Sequence, residues 1–355
     1  MNSGQTTIKD IARIAGVSHT TVSAVLGGRS GKIPVSKKTR ALVEEAASSL
    51  NYRPNMAARA IRGQSLQQVG LVVRYNADYH DLPTVYVPAL FGANEYLLEH
   101  GWSLVLIRDD SVAFSPRLPR YLQEHLLDGF IVCSSSEEFD EALGFRLERN
   151  RQPFVRMNAN GAFNCIKNDD AVGGVLVARH LLELGHRRIL YVSPPTQHYS
   201  CEARREALRE TLAAAGVVLD CHTLARQSQP TPKEEDHVRT YVHQQREFIE
   251  QCLPKYAPTA VVSWDDHTAL TISQGLQKQG IRIPQDISIV GFNDVGLMDL
   301  AYPPLTTIHN DFYEMGKLAA GMLLEHIKQN TPLTPSLKTV PRLAVRESTG
   351  PAPKR

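Results

Sequence analysis

The chain has 355 residues, 42% hydrophobic and 21% charged, with a net charge of +2; this is globular composition with enough length for two or three compact units, which excludes a disordered protein. No apolar run approaches the roughly 18 to 20 residues that cross a bilayer, and no internal repeat or low-complexity tract is visible. The charge is unevenly divided: residues 1–64 hold ten Lys/Arg against three acids, a net +7, which leaves −5 for the remainder. A basic head on an acidic body points to a polyanionic partner, the bland alternative being a basic solvated tail. The five cysteines, Cys133, Cys165, Cys201, Cys221 and Cys252, show no C-x-x-C spacing. With no basic-then-apolar leader at the N-terminus, a cytoplasmic protein is expected.

In chain order, Thr7 caps a first helix with Asp10 three positions on, and Ile8, Ile11, Ala12, Ile14 and Ala15 follow at helical spacing. Gly16-Val17 breaks it. Ser18 caps a second helix with Val22, Val25 and Leu26 facing inward and His19, Thr20, Thr21, Ser23 and Ala24 facing out. A third begins at Ser36 and carries Leu42, Val43, Ala46, Ala47 and Leu50 on one face. Two helices about a glycine turn, supported by a third, form a DNA-reading unit. From Val69 onward, apolar runs (Val69–Val73, Leu104–Ile107, Phe130–Cys133, Ile189–Val192, Ala260–Ser263, Ile287–Phe292) alternate with helical patterns such as Pro88–His100 and Ala171–Leu184. This is the βαβ pattern of parallel sheets buried on both faces. Ligands in such sheets bind beyond the carboxyl ends of the strands.

The segments Thr7-Ile8-Lys9-Asp10-Ile11-Ala12, Ala15-Gly16-Val17-Ser18, Thr21-Val22-Ser23, Val35-Ser36, Thr39-Arg40, Asn51-Tyr52-Arg53-Pro54-Asn55 and Ala58-Arg59 resemble the head of the lac repressor (LacI/GalR) family. The resemblance implies that His19, Thr20 and Ala24 read bases in the major groove, while Ser18, Thr21, Ser23, Ser36 and Thr39 meet phosphates. Many relatives carry arginine where Ala24 stands, so an operator differing at that base is expected, since alanine offers only a methyl contact. The loop 27–34 is about three residues longer than usual, and its Arg29 and Lys32 are either phosphate contacts or merely solvated. Asn55 to Ile61 reads as a hinge helix too short to be stable alone in water. The resemblance assigns Asn55 and Ala58 to DNA contact and Ile61 to the residue that wedges between base pairs.

The body is also similar to that family's effector domain, itself like periplasmic sugar-binding proteins, through Asp128-Gly129-Phe130, Leu184-Gly185-His186-Arg187-Arg188, Ser288-Ile289-Val290-Gly291-Phe292, Pro303-Pro304-Leu305-Thr306-Thr307 and Val345-Arg346-Glu347-Ser348. The implied fold class is an all-α helix-turn-helix head plus an α/β two-lobed body crossed three times by the chain. The expected domains are a head at 1–53, a hinge at 54–66, a body at 67–347 and a tail at 348–355. Lobe 1 is expected at about 67–166 and 308–335, lobe 2 at about 167–307 and 336–347. The resemblance places the effector among Asn158, Arg204, Asp265, Asn293 and Phe312, with Tyr86 and Trp264 as aromatic walls. Amides stand at 158 and 293 where aspartates are common, and Asp265 where asparagine is common, which suits an acidic sugar or a ligand richer in acceptors. Segments 74–84 and 227–245 fit the family poorly, and no ligand residue is assigned in the second.

No P-loop, nucleophile elbow or H-E-x-x-H motif is present, so neither an enzyme nor a cofactor is expected. Asp265-Asp266-His267 reads as a helix start, with Asp266 as the cap, in preference to a metal site. The expected function is an operator-binding repressor acting as a homodimer, since a two-fold operator calls for one head per half-site and no C-terminal heptad run of the kind that makes tetramers follows the body, with operator DNA and a sugar or sugar derivative as partners and no membrane. A soluble sugar-binding protein is the alternative, and an activator shares every motif above.

Overall fold

Residues 6–26, 35–52, 65–73, 85–108, 122, 126–133, 137–195, 198–225, 243–296, 298–329 and 335–354 are described by the computed structural model. The chain divides into two units, Met1–Leu66 and Gln67–Arg355.

In the first unit, α1 (Ile8–Ala15), α2 (His19–Leu26) and α3 (Lys37–Ser49) follow the expected boundaries. Asp10 Oδ2 accepts from the Thr7 amide at 3.0 Å and from its hydroxyl at 2.7 Å, tying off the start of α1. Gly16 ends α1 at φ +64°, a left-handed conformation in which a side chain would be strained, and so allows the turn into α2. Ile11, Val22, Val25, Val43, Ala46 and Ala47 form the core, with Ile8, Leu26, Leu50 and Tyr52 packed on it. Ile14 (55% exposed) and Leu42 (43%) stand outside it, because three short helices close over one stripe each and leave its flanks in water.

Among the described residues, the second unit holds two six-stranded sheets. The first has the order β11-β5-β4-β3-β1-β2 and is parallel throughout, from β1 (Gln68–Val73), β2 (Ser103–Arg108), β3 (Gly129–Cys133), β4 (Phe154–Met157), β5 (Cys165–Asn168) and β11 (Leu337–Thr339). The second has the order β12-β10-β9-β8-β6-β7, from β6 (Ile189–Ser193), β7 (Leu219–Thr223), β8 (Ala260–Ser263), β9 (Ser288–Asn293), β10 (Thr306–His309) and β12 (Arg342–Ala344). Only the β10–β12 pair in it is antiparallel.

Helices α4 (Tyr86–Glu99) and α10 (Phe312–Gln329) cover one face of the first sheet, and α5 (Glu137–Arg149) supplies Leu143 and Leu147 to the other. On the second sheet, α6 (Asp170–Glu183) and α7 (Tyr199–Ala214) pack one face. The π-helical turn Phe248–Cys252, which runs into α8 (Leu253–Tyr256), packs the other face together with α9 (Asp266–Lys278).

The chain passes between sheets three times: after β5, after β10 and after β11. These crossings fall a few residues later than the sequence suggests. Residues 337–339, expected in lobe 2, pair Leu337 with Ile166 in lobe 1, and Thr339 Oγ1 donates to Asn168 Oδ1 at 2.8 Å. The expected tail is part of lobe 2. Ile289 N donates to Ser348 O (2.8 Å), Thr306 N to Ser348 Oγ (2.8 Å) and Ala352 N to Leu184 O (2.8 Å).

Candidate DNA-reading head and effector cleft

In the head, the N-termini of α2 and α3 are built alike. Ser18 Oγ accepts from Thr21 N at 3.1 Å and pairs with Thr21 Oγ1 at 2.9 Å. Ser36 Oγ accepts from Thr39 N at 3.1 Å and pairs with Thr39 Oγ1 at 2.8 Å. Ser18 and Ser36 are exposed and Thr21 and Thr39 are partly so, leaving two helix starts, each with a hydroxyl pair and a partial positive charge, open to an anion. His19 and Thr20 are also exposed, and Ser23 is half-buried.

Ala24 departs from the reading that faces it outward. It is 3% exposed and lies among the buried apolar residues of α2 with Val22 and Val25. Asn55, Ala58, Ile61 and the loop 27–34 lie outside the described residues.

In the body, the candidate cleft lies at the carboxyl ends of the strands of both sheets. Asn158 follows β4 at φ +56°. Across from it, β6 is followed by His198-Tyr199-Ser200 at the start of α7, β8 by Trp264-Asp265 and β9 ends at Asn293.

Two polar chains organise these residues. In the first, Trp264 Nε1, which only donates, bonds Ser200 Oγ at 3.0 Å, and Ser200 Oγ lies 2.7 Å from His198 Nδ1. His198 Nε2 lies 3.1 Å from Asn158 O, a pure acceptor. The hydrogens therefore run one way: indole to hydroxyl, hydroxyl to Nδ1, and Nε2–H to the carbonyl of the other lobe. Burial pushes the His198 pKa down to about 4, so the ring is neutral at pH 7, as this order requires. The Tyr199 ring lies tilted against His198 with centroids 4.5 Å apart, and its hydroxyl donates to Asn158 Oδ1 at 3.3 Å.

The second chain centres on Arg204, which is 3% exposed. Its Nε donates to Asp170 Oδ1 at 2.7 Å, its Nη1 to Trp264 O and its Nη2 to Asn293 Oδ1 at 3.2 Å. The guanidinium also lies 4.5 Å from the Phe292 ring centroid. Each of its nitrogens thus has a protein acceptor, whereas the sequence reading has it donating to a ligand. Asn293 Oδ1 accepts a second bond from Asn310 Nδ2 at 3.1 Å.

Asp265, not Asp266, caps α9, accepting from Thr268 N at 2.8 Å. Asp266 is buried, accepting from Thr307 Oγ1 at 2.6 Å and Val295 N at 3.3 Å, and burial lifts its pKa to about 8. His267 is exposed. The three neighbours thus face three different surroundings, as adjacent residues at a helix start must. Tyr86 and Phe312, each 4% exposed, are in the lobe 1 core, in one cluster with Val295 from the segment after β9. The structure thus brings together Asn158, Arg204, Trp264 and Asn293, with Asp265 next to Trp264, and puts Tyr86 and Phe312 in the lobe 1 core. The sequence reading missed Asp170, His198, Tyr199 and Ser200. The rule that pointed to the ends of β8 and β9, applied to β6, finds three of them.

A small three-helix head on a two-lobed α/β body with a polar and aromatic cleft defines a ligand-regulated DNA-binding protein. Residues 7–55 match the model of bacterial regulatory proteins of the lacI family, and residues 178–349 that of a periplasmic binding protein-like domain. The chain is 31% identical over 328 residues to the HTH-type transcriptional repressor PurR of Vibrio atlanticus, covering 91% of this chain and 92% of that protein. Similar solved structures include the regulator CelR in complex with cellobiose (27% identity, TM-score 0.66, 97% of this chain and 100% of that chain). The lac repressor dimer bound to operator and the anti-inducer ONPF shares the fold (23% identity, TM-score 0.72, 98% and 99%). The chain belongs to the lacI family of bacterial regulatory proteins. It is a DNA-binding transcriptional repressor with an effector-binding body, and the curated relatives it matches are transcriptional repressors. No helix of the described residues is long and apolar enough to cross a membrane.

Proposed function

We propose that this repressor works in the cytoplasm as a homodimer on a palindromic operator and is switched by a sugar or sugar derivative bound between its lobes. The observation that carries this reading is the inter-lobe chain Trp264–Ser200–His198–Asn158, which joins an aromatic wall of one lobe to the backbone of the other. A ligand that touches Trp264 or Asn158 changes the energy of lobe closure, and a regulator shifts only by such differential affinity. The amides and aromatic rings suit a polyol with one apolar face, and the similarity to a cellobiose-bound regulator supports that chemistry.

At the DNA, His19 and Thr20 read bases, and Ala24, 3% exposed, is the least accessible of the three reading positions. Ser18, Thr21, Ser23, Ser36 and Thr39 hold phosphates, and Asn55, Ala58 and Ile61 form the minor-groove hinge. The ring trio of His198, Tyr199 and Trp264 also suits a planar base, so both ligand types belong in the test.

The test is selection of DNA from a random pool by the purified chain, followed by competition with neutral sugars, sugar acids and purine bases. Recovery of a palindrome whose binding one compound alters is the expected result. Failure to enrich any sequence overturns the operator reading, and enrichment that purines alone modulate overturns the sugar.

A further inference from the structure

The floor of the cleft contains one buried guanidinium, Arg204, and one buried carboxylate, Asp170, bonded at 2.7 Å with side chains 3% and 2% exposed. Asp170 is the first residue of α6, 34 positions before Arg204, so only the tertiary fold brings the two together. The pair removes the positive charge that would otherwise make Arg204 an anion site. What remains unsatisfied is an acceptor. Asp170 Oδ2 is buried and meets no donor in good hydrogen-bond geometry; the Tyr199 hydroxyl, which interacts with the same carboxylate, bonds Asn158 Oδ1 at 3.3 Å. An unused buried carboxylate oxygen calls for a donor.

Among the described residues, the other groups named around this floor add no free cation. His198 is neutral through burial, and Asp265 carries a carboxylate. The Lys167 ammonium lies against the Tyr199 ring, 5.4 Å from its centroid, and is held by Asn160 Oδ1 at 2.6 Å.

We propose that Asp170 is a built-in anion that occupies, on Arg204, the place a ligand carboxylate or phosphate would take, so that the cleft selects uncharged, hydroxyl- or N–H-bearing ligands and rejects acidic ones. This deepens, and rests on, the reading of the cleft as the effector site. It decides against the acidic sugar that the amides at 158 and 293 leave open from sequence. Asp170 is then the specificity-determining residue: it sets the charge of the ligand, while the amides and rings set its shape.

The experiment compares thermal unfolding of the full chain, wild type and Asp170→Asn, in sodium acetate, sodium D-glucuronate and D-glucose, with ionic strength matched by sodium chloride. Calorimetric titration with glucuronate and glucose accompanies it. The wild type is expected to be stabilised by neither anion. Asp170→Asn keeps the side-chain shape and uncovers the Arg204 charge, so it is expected to gain about tenfold or more in glucuronate affinity, the worth of one charge-assisted hydrogen bond. Stabilisation of the wild type by acetate, or by glucuronate beyond glucose, overturns the proposal. So does an Asn variant that responds to anions no more than the wild type. If the Asn variant does not fold, Asp170→Ser serves in its place, and the wild-type response to the anions decides by itself. None of these readouts depends on operator binding. A failed operator selection with anion uncovering intact condemns the regulatory reading alone, and the reverse pattern condemns only the charge filter.

Discussion

At the scale of the residue, Asp266 is the clearest case of a side chain whose chemistry is made by its surroundings. Its carboxyl keeps a proton up to about pH 8 in the folded chain, against 3.8 for the ordinary side chain, because burial penalises the charged form more than Thr307 and Val295 stabilise it. Between those two pH values folding takes up a proton, so the contribution of Asp266 to stability falls as pH rises and levels off above about 8. An Asp266→Asn variant carries no such dependence. Its stability relative to wild type, read from urea midpoints, should therefore rise from pH 5 to pH 8 by up to roughly 4 kcal/mol, at 1.36 kcal/mol per pH unit. A pH-independent difference would mean that Asp266 is ionised in the fold. The sequence shows the Asp265-Asp266-His267 run but not which acid is the cap, since either position is compatible with a helix start. Only the direction of the chain leaving β8 puts Asp265 over the Thr268 amide.

At the scale of the element, the contact that builds lobe 1 is the crossing of α4 and α10. A Cβ added at Gly92 would stand 2.0 Å from Tyr313 O, and one added at Gly316 would stand 2.0 Å from Ala89 O. Backbone touches backbone there, and no rotamer change relieves a side chain that enters. Gly316→Ala is expected to cost about 1–3 kcal/mol or more, the range for overpacking, seen as a lower unfolding midpoint while the head still binds DNA. An unchanged midpoint would show that the helices separate freely. These two helices are legible as apolar patterns, with Pro88–His100 anticipated where Tyr86–Glu99 is found. Strands β4, β5, β7, β10, β11 and β12 were not anticipated. They are three to five residues long, too short for a periodic signal, and hydrogen bonds to neighbours distant in sequence define them.

At the scale of the whole molecule, the C-terminal segment stitches lobe 2 together. Besides its backbone bonds, Ser348 Oγ donates to Ile289 O at 2.6 Å, Gly350 N donates to Ser288 Oγ at 3.1 Å, and Gly350 O lies 3.1 Å from His186 Nε2. Deleting residues 348–355 strips several buried partners worth about 1 kcal/mol each. The thermal midpoint of the body should fall by roughly 5 to 10 °C, and an unchanged midpoint would reduce the segment to a tail. The charge division is also a property of the whole chain: operator affinity should fall with salt at a log-log slope of roughly −0.9 per phosphate neutralised. A flat profile would remove the basic head as the DNA contact.

The amino-acid sequence by itself determined the three helices of the head with their Ser18 and Ser36 caps, the βαβ character of the body, its three crossings and the family. All of these rest on local periodicity, local caps or contiguous motifs, interactions that span a few residues and leave a pattern in the chain. Only the tertiary structure decided that Ala24 is covered, that Arg204 is neutralised by Asp170, that His198 bonds across the lobes and that residues 348–354 belong to lobe 2. Each of these joins groups far apart in the chain or depends on what packs over a side chain. Burial and pairing at that distance are set by the fold as a whole, where desolvation decides which polar atoms must find one another.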